Sequence, residues 1–399
     1  MLILRPFQKK AIDHLLSPSS HTDHLLCISP TGSGKSLIYE NVMAETRWKT
    51  LIISPLIALG RQHHQKLTAL GIPSFLSCGQ SQGQGPPLSP ALSFSSSPDS
   101  MPHSPPQSGA WIMSPESLQY SSRKEALQRW KPDFLVVDEC HCLWEWGQSF
   151  RPAFQHIPQL IQTLPSLKKT LWLTATLPYP ARQELRSYLS PFLSEMGEFD
   201  LPSRLHLSLR RLGFEHRLQA LLDWVRAEKS HGMIFVSTRE ATQKLARVIQ
   251  ATGTRVMTYH GGMSSEERRN TEACIQNKIP EIVISTSAFG MGMDYSHIHR
   301  LALWQAPTSI LSFVQIIGRV GRGNNSQGRA LAFWDLDDFK MLEWSIHHLD
   351  KRRKELQALS RFYHSTQCRR FILKRYFHPE TPPSFCQQCD WCDERSSFF

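Results

Sequence analysis

ISPTGSGKSLIYE, residues 28–40, dictates how the chain begins to fold. An apolar run at 24–28 leads into a polar turn carrying Gly32, Gly34 and Lys35, and a helical pattern opens at Ser36. Strand, glycine turn and helix in that order form a cradle of inward-facing backbone N–H groups, to which the helix N-terminus adds the positive end of its dipole. The strict phosphate-loop pattern, G-x-x-x-x-G-K-[ST], has glycine where this chain has Ser29, but its core is intact. Thr31, Gly32, Ser33 and Gly34 are therefore candidates to wrap a triphosphate, Lys35 to pair with its β- and γ-phosphates, and Ser36 to ligate Mg²⁺. The competing reading, a plain glycine turn, leaves the lysine and the strand–helix context without a role.

Outward from this loop the alternation continues. Apolar runs at 50–54, 110–113, 134–137 and 170–173 read as buried strands separated by helical patterns, one of them over 56–70. That is an α/β domain on a parallel sheet, expected over residues 1–202. Residues 80–109 interrupt it with Ser, Pro, Gly and Gln and little charge. Such a composition cannot bury enough apolar surface to order itself, so a disordered insertion is expected there, open to a protein partner whose identity the residues do not specify. Near Pro202 the periodicity weakens, and runs at 233–236, 255–257, 281–284 and 301–304 predict a second α/β domain over 203–336. From 337 to 399 the chain reads as helical and strongly charged, with Lys340, Lys351, Arg352, Arg353 and Lys354, and it ends in a cluster of cysteines.

Composition narrows the function classes. The 399 residues are 40% hydrophobic, 10% aromatic and 20% charged, as in a globular protein with ordinary cores. No apolar stretch has the length of a membrane span, and MLILRPFQKK lacks the features of a signal peptide, so a cytosolic protein without a membrane partner is expected, nucleoid-associated in a bacterium or nuclear in a eukaryote. A formal charge of +11 suits a polyanionic partner, because neutralising phosphates releases counterions from nucleic acid. Nine cysteines at irregular spacing do not make a secreted disulfide framework.

A triphosphate site needs a metal-holding acid and a group to activate water. Asp138 and Glu139 follow the apolar run 134–137 directly, where a parallel sheet presents residues to the crevice at its carboxyl edge. Asp138 is expected to hold Mg²⁺ and Glu139 to orient and deprotonate the attacking water. In FVQIIGRVGRG, Gln315, Arg319 and Arg322 stand at i, i+4 and i+7, which predicts one face of a helix. Carried by the second domain, such arginines would reach the γ-phosphate only when a cleft closes, coupling hydrolysis to domain closure.

Taken in order, 4–8 with Arg5 and Gln8, the phosphate loop, 54–56, 114–116, the DECH box at 138–141, 174–176, Thr286 with 288–294, and 315–322 resemble the motifs of superfamily 2 helicases. HCLWEWGQSFRPAF, residues 141–154, narrows the resemblance to the RecQ family of DNA helicases, which carries an aromatic-rich loop of this spacing after its DExH box. The resemblance covers nearly the whole chain outside 80–109. It implies two RecA-like motor domains, Gln8 with Arg5 reading adenine, Asp294 at the nucleotide, and Thr176 and Thr286 linking nucleotide state to DNA grip. It also implies backbone contacts to DNA from Ser54, Ser114, Ser237 and His260. Trp144, Trp146 and Phe150 offer flat faces on which bases stack without sequence preference, and Arg151 can pair with phosphate. Because the loop begins at His141, two residues after Glu139, stacking there could reset the catalytic water.

Cys368, Cys386, Cys389 and Cys392 form a C-x₁₇-C-x₂-C-x₂-C pattern suited to a tetrahedral, structural Zn²⁺, with redox thiols as the alternative. The family's zinc module likewise follows the second motor domain behind a helical hairpin. Three departures stand out: the sequence stops seven residues after Cys392, where larger members continue into a winged helix; Gln148 replaces a histidine common in the aromatic loop; and Gly323 replaces an acid common after the last arginine. The expectation is an ATP- and Mg²⁺-dependent DNA helicase or translocase of 3′ to 5′ polarity, acting on single-stranded and forked DNA in repair or recombination. An RNA-dependent motor, and an ATP-gated binding or annealing module with little unwinding, remain as alternatives.

Overall fold

The computed structural model describes residues 4–30, 32–55, 57–77, 107–145, 156–289, 297–321, 327–346 and 350–396. Of the expected site residues, Thr31, Trp146, Phe150, Arg151, Asp294 and Arg322 lie outside them, as does most of the 80–109 insertion. The chain divides into two compact units, one comprising Met1–Ser29 with Ser33–Glu198, the other Phe199–Phe399 with Pro30–Gly32.

Among the described residues the first unit is built on seven parallel strands: β1 (Asp23–Ile28), β2 (Lys49–Ile53), β3 (Ser74–Ser77), β4 (Gly109–Met113), β5 (Phe134–Val137), β6 (Lys169–Thr174) and β7 (Leu193–Met196). Their order is β3-β4-β2-β5-β6-β1-β7. β5 and β6 are buried along their whole length, as strands covered on both faces must be, which is why they read as unbroken apolar runs. Register places Ile28 beside Thr174 and Val137 beside Trp172, so the chain leaves β1, β5 and β6 at one edge of the sheet. The outer strands β3 and β7 carry no such run; they are four residues long and half-buried, and periodicity did not announce them. The expected insertion is corrected at its end: residues 107–109 are described, and Gly109 opens β4 opposite Lys49. Its φ of +113° and close approach to Pro73 leave no room for a side chain, since a Cβ would lie 2.1 Å from the Pro73 carbonyl oxygen.

The second unit carries β8 (Leu205–Arg211), β9 (Gly232–Phe235), β10 (Val256–Tyr259), β11 (Ile282–Ser285), β12 (Arg300–Leu303) and β13 (Gly328–Trp334), ordered β10-β11-β9-β12-β13-β8 and again parallel. β8 and β13 were not expected. β8 is buried at Leu205 and Leu207 but ends in exposed arginines, too mixed to register as a core strand. The helices Leu336–Ile346, Asp350–Tyr363 and Arg369–Phe377 follow, then Asp390–Ser396. Cys368, Cys389 and Cys392 belong to the same buried cluster as Leu205 and Leu207. The junction is tied further by the Leu207 N–H donating to the Gln388 carbonyl (3.0 Å) and by Arg370 donating to the carbonyls of Leu201, Pro202 and Leu205 (each 2.9 Å).

One helical expectation fails. The helix Ile310–Ile317 includes Gln315 but stops at Gly318, so Arg319 sits in a turn rather than one helical turn along the same face. The cause lies downstream. Gly321 adopts a φ of +75° and crosses Gly328 so tightly that a Cβ on Gly328 would lie 2.4 Å from the Gly321 nitrogen, a contact a continuing helix could not make.

Candidate nucleotide site and cysteine cluster

The phosphate loop is shaped from three sides. Gly32 and Gly34 have φ of +78° and +79°, the left-handed region that glycine adopts without a Cβ clash. The Lys35 ammonium donates to the Ser29 carbonyl at 3.0 Å. Gln8, buried on the helix Pro6–Leu16, donates its amide to the carbonyls of Ser33 (3.0 Å) and Gly34 (2.9 Å), while its Oε1 accepts from the Arg5 N–H (2.7 Å). The residue expected to read adenine thus clasps the loop here, and a Cβ at Gly34 would lie 2.8 Å from the Gln8 amide nitrogen. The Ser33 hydroxyl is buried without a hydrogen-bond partner. An orphaned hydroxyl within a cradle of left-handed glycines beside a lysine fits a phosphate. Next to it the Ser36 hydroxyl accepts from Lys66 (3.1 Å), which also pairs with buried Glu40 (2.8 Å), so the expected metal ligand already faces a cation.

The acids sit at the end of β5. Glu139 has a φ of +47°, a strained conformation for a non-glycine residue. Two backbone bonds hold it there: its own N–H donates to Asp138 Oδ1 (2.9 Å), and the Cys140 N–H donates to the Leu173 carbonyl of β6 (2.9 Å). Asp138 Oδ2 meets His63 Nε2 at 3.0 Å, and His63 Nδ1 meets the Tyr39 hydroxyl at 2.8 Å. All three residues are buried. Burial, then the charges of Asp138 and Glu40, raise the Tyr39 phenol well above its ordinary range, so it stays a hydrogen-bond donor. The helices carrying Tyr39 and His63, Ser36–Thr46 and Ile57–Ala69, thereby join the phosphate loop to the acid pair. Sequence reasoning passed over Tyr39 and His63, whose one signal was a polar aromatic group on the buried side of a helix, and the exposed Lys66.

His141 makes the second connection. Its Nδ1 lies 3.3 Å from Glu139 Oε2 and 3.0 Å from Thr174 Oγ1. Thr174 donates to the Thr176 carbonyl (2.8 Å) and accepts from the Thr176 N–H (3.1 Å), leaving the His141 N–H to be shared between carboxylate and hydroxyl. Glu139 is therefore linked to the 174–176 turn, where the Thr176 hydroxyl is buried without a partner. Trp144, on the short helix Cys142–Glu145, donates its indole N–H to Glu184 (2.5 Å).

The expected backbone-contact residues fall at strand ends. Ser54 and Ser114 follow the adjacent strands β2 and β4, and Ser237, His260 and Thr286 follow β9, β10 and β11, also neighbours. Ser237 is exposed; His260 Nδ1 is buried without a partner. Ser114 Oγ lies 3.4 Å from Ser117 Oγ, and Thr286 Oγ1 accepts from the Ala288 N–H at 3.4 Å, so both also serve their local turns.

Cys368, Cys386, Cys389 and Cys392 bring four sulfur atoms within 4.8 Å of one another. The Cys386 and Cys392 sulfurs are 3.9 Å apart, close to the ~3.8 Å edge of a tetrahedron with Zn–S bonds of about 2.3 Å. Thiols of Cys386 and Cys389 donating to Cys368 pull that thiol far below its ordinary range, helped by the Phe371 N–H in the first turn of the helix it caps. Donor type and spacing fit zinc. Arg369 pairs with Asp390 (3.0 Å) and Arg370 clamps carbonyls, so the basic residues beside the cluster serve first to hold its loops. Cys27, Cys140, Cys142 and Cys274 lie outside the cluster, and Cys78 lies outside the described residues. Among the described residues no helix is long and apolar enough to cross a membrane.

Comparison with known proteins agrees with this arrangement. Three family models match in order: DEAD/DEAH box helicase over residues 5–185, helicase conserved C-terminal domain over 215–324, and RecQ zinc-binding over 336–393. The ATP-dependent DNA helicase RecQ of Haemophilus influenzae is 28% identical over 96% of the chain, and that of Pasteurella multocida 29% over 92%. The matches take in 61% and 57% of those two proteins, so the chain spans about three fifths of their length. Among solved structures, Saccharomyces cerevisiae Dbp5 bound to RNA and ADP BeF3 shares the fold, with a TM-score of 0.63 at 17% identity, covering 90% of this chain and 97% of that one. Both units are thus RecA-like.

Proposed function

The chain belongs to the RecQ family of helicases, and from that premise we propose that it is an ATP-dependent DNA helicase or translocase whose hydrolysis is stimulated by single-stranded or forked DNA. The observation that carries the reading is a polar chain from Tyr39, on the helix that opens at the phosphate loop, through His63 to Asp138, across the Glu139 N–H, and from the Glu139 carboxylate through His141 and Thr174 to Thr176. The loop amides, Lys35 and the Ser33 hydroxyl bind the triphosphate, and Ser36 and Asp138 hold Mg²⁺. Held there by Ser36 and Asp138, Mg²⁺ would supply positive charge against the triphosphate. Glu139 accepts a proton from the attacking water, and His141 ties its carboxylate to the 174–176 turn, so that a shift in either is felt by the other. Arg319 and Arg322 are assigned to the charge of the transition state, on the order of the motifs in the sequence. Cys368, Cys386, Cys389 and Cys392 hold structural zinc. The relatives' names support DNA as substrate; 3′ to 5′ polarity and service in repair or recombination extend the reading.

The test is ATP hydrolysis with and without single-stranded DNA, with RNA of the same sequence as control, in wild type and Trp146→Ala. Strong DNA stimulation that the substitution abolishes, with strand displacement on a forked duplex, is the expected result. Turnover indifferent to DNA and to the substitution overturns it.

A further inference from the structure

We propose that His63 is a positioning residue for the metal-binding carboxylate, oriented in turn by Tyr39. The proposal rests on the nucleotide-site reading above and adds to it two residues that no motif singled out.

Three groups from three elements meet in line. Tyr39 comes from the helix that starts at the phosphate loop, His63 from the helix after β2, and Asp138 from the end of β5, the strand paired with β2. The proton positions follow from chemistry. A carboxylate offers only lone pairs, so the His63 nitrogen 3.0 Å from Asp138 Oδ2 must carry the proton; a bare Nε2 there would set two acceptors against each other. With the ring uncharged, Nδ1 carries no proton and accepts from the Tyr39 hydroxyl at 2.8 Å. Asp138 Oδ1 accepts from the Glu139 N–H at 2.9 Å. Each carboxylate oxygen is held by its own donor, so the group cannot rotate, and its remaining lone pairs keep a fixed direction.

Losing the His63 donor frees one oxygen to turn and leaves the Tyr39 hydroxyl without its acceptor in a buried site. Partners that orient a metal ligand in this way typically account for ~10–100-fold in metal affinity. Glutamine carries an amide N–H at about the reach of histidine Nε2 and can restore the bond to Asp138, whereas alanine cannot.

The experiment titrates Mn²⁺ into the full chain saturated with a non-hydrolysable ATP analogue and follows free Mn²⁺ by electron paramagnetic resonance. Expected are a ~10–100-fold weaker Mn²⁺ affinity for His63→Ala, recovery of most of it by His63→Gln, and a smaller weakening for Tyr39→Phe. If His63→Ala does not fold, His63→Gln against Tyr39→Phe decides: tight binding in the first with a loss in the second supports the relay. Unchanged Mn²⁺ affinity in every variant overturns the positioning role while leaving the nucleotide site standing. A wild type that takes up no Mn²⁺ with the nucleotide overturns the site reading itself.

Discussion

Glu139 shows how much of this site is set by single residues. Its left-handed backbone is held by one bond from its own N–H and one across to β6, and such strain, on the order of 1–3 kcal/mol, persists only where the surroundings over-determine it. Glu139→Gln keeps the shape and removes the proposed base. Its kcat for ATP hydrolysis should fall ~10²–10⁴-fold with KM little changed, as steady-state kinetics would read. Gln8 is the complementary case, because it touches the loop. Gln8→Ala deletes both bonds to the Ser33 and Gly34 carbonyls and should cost about 1–3 kcal/mol in urea unfolding of the first unit, with a raised KM for ATP. An unchanged KM would mean that the clasp is incidental to nucleotide binding.

At the scale of the element, β1 links the sheet core to solution pH. His24 is buried in it with Nδ1 2.8 Å from Thr170 Oγ1, and burial lowers its pKa from 6.5 to about 4, the nearby Asp23 charge opposing and His21 adding to the shift. The unfolded chain therefore binds this proton more readily than the folded one. The group costs no stability above about pH 6.5 and progressively destabilises the fold as pH falls from there towards 4, by ~2–3 kcal/mol at the acid end. His24→Gln should lose less stability than wild type between pH 7.5 and 5 in urea titrations; equal losses would place the acid sensitivity elsewhere. The helix Ile310–Ile317 carries the opposite lesson about elements. Residue spacing predicted that it would run on through Arg319, yet the crossing of Gly321 and Gly328 ends it, a contact between positions that only the folded chain brings together.

For the whole molecule, the cysteine cluster matters beyond its own loops. Three of its cysteines share a buried cluster with Leu205 and Leu207 of β8, and the Leu207 N–H is bonded to Gln388. Stripping the proposed zinc with a chelator, or Cys389→Ser, should therefore loosen more than the C-terminal helices. Hydrogen exchange is expected to lose protection along Leu205–Arg211 while the amides of β1 in the first unit keep theirs. Loss confined to residues after 365 would show that the module is only appended.

The phosphate loop, the acid pair, the central strands and the four cysteines were readable residue by residue, because their signals are local patterns: glycines where the backbone must turn, acids directly after an apolar run, and three thiols each separated by two residues, with Cys368 eighteen positions ahead of them. The edge strands β3 and β7, the mixed strands β8 and β13, the end of the helix before Arg319 and the Tyr39–His63–Asp138 line were not. The polar line depends on pairs 24 and 75 residues apart, the strands on partial burial and the helix end on the Gly321–Gly328 crossing, and neither periodicity nor spacing reports which groups the packed chain brings together.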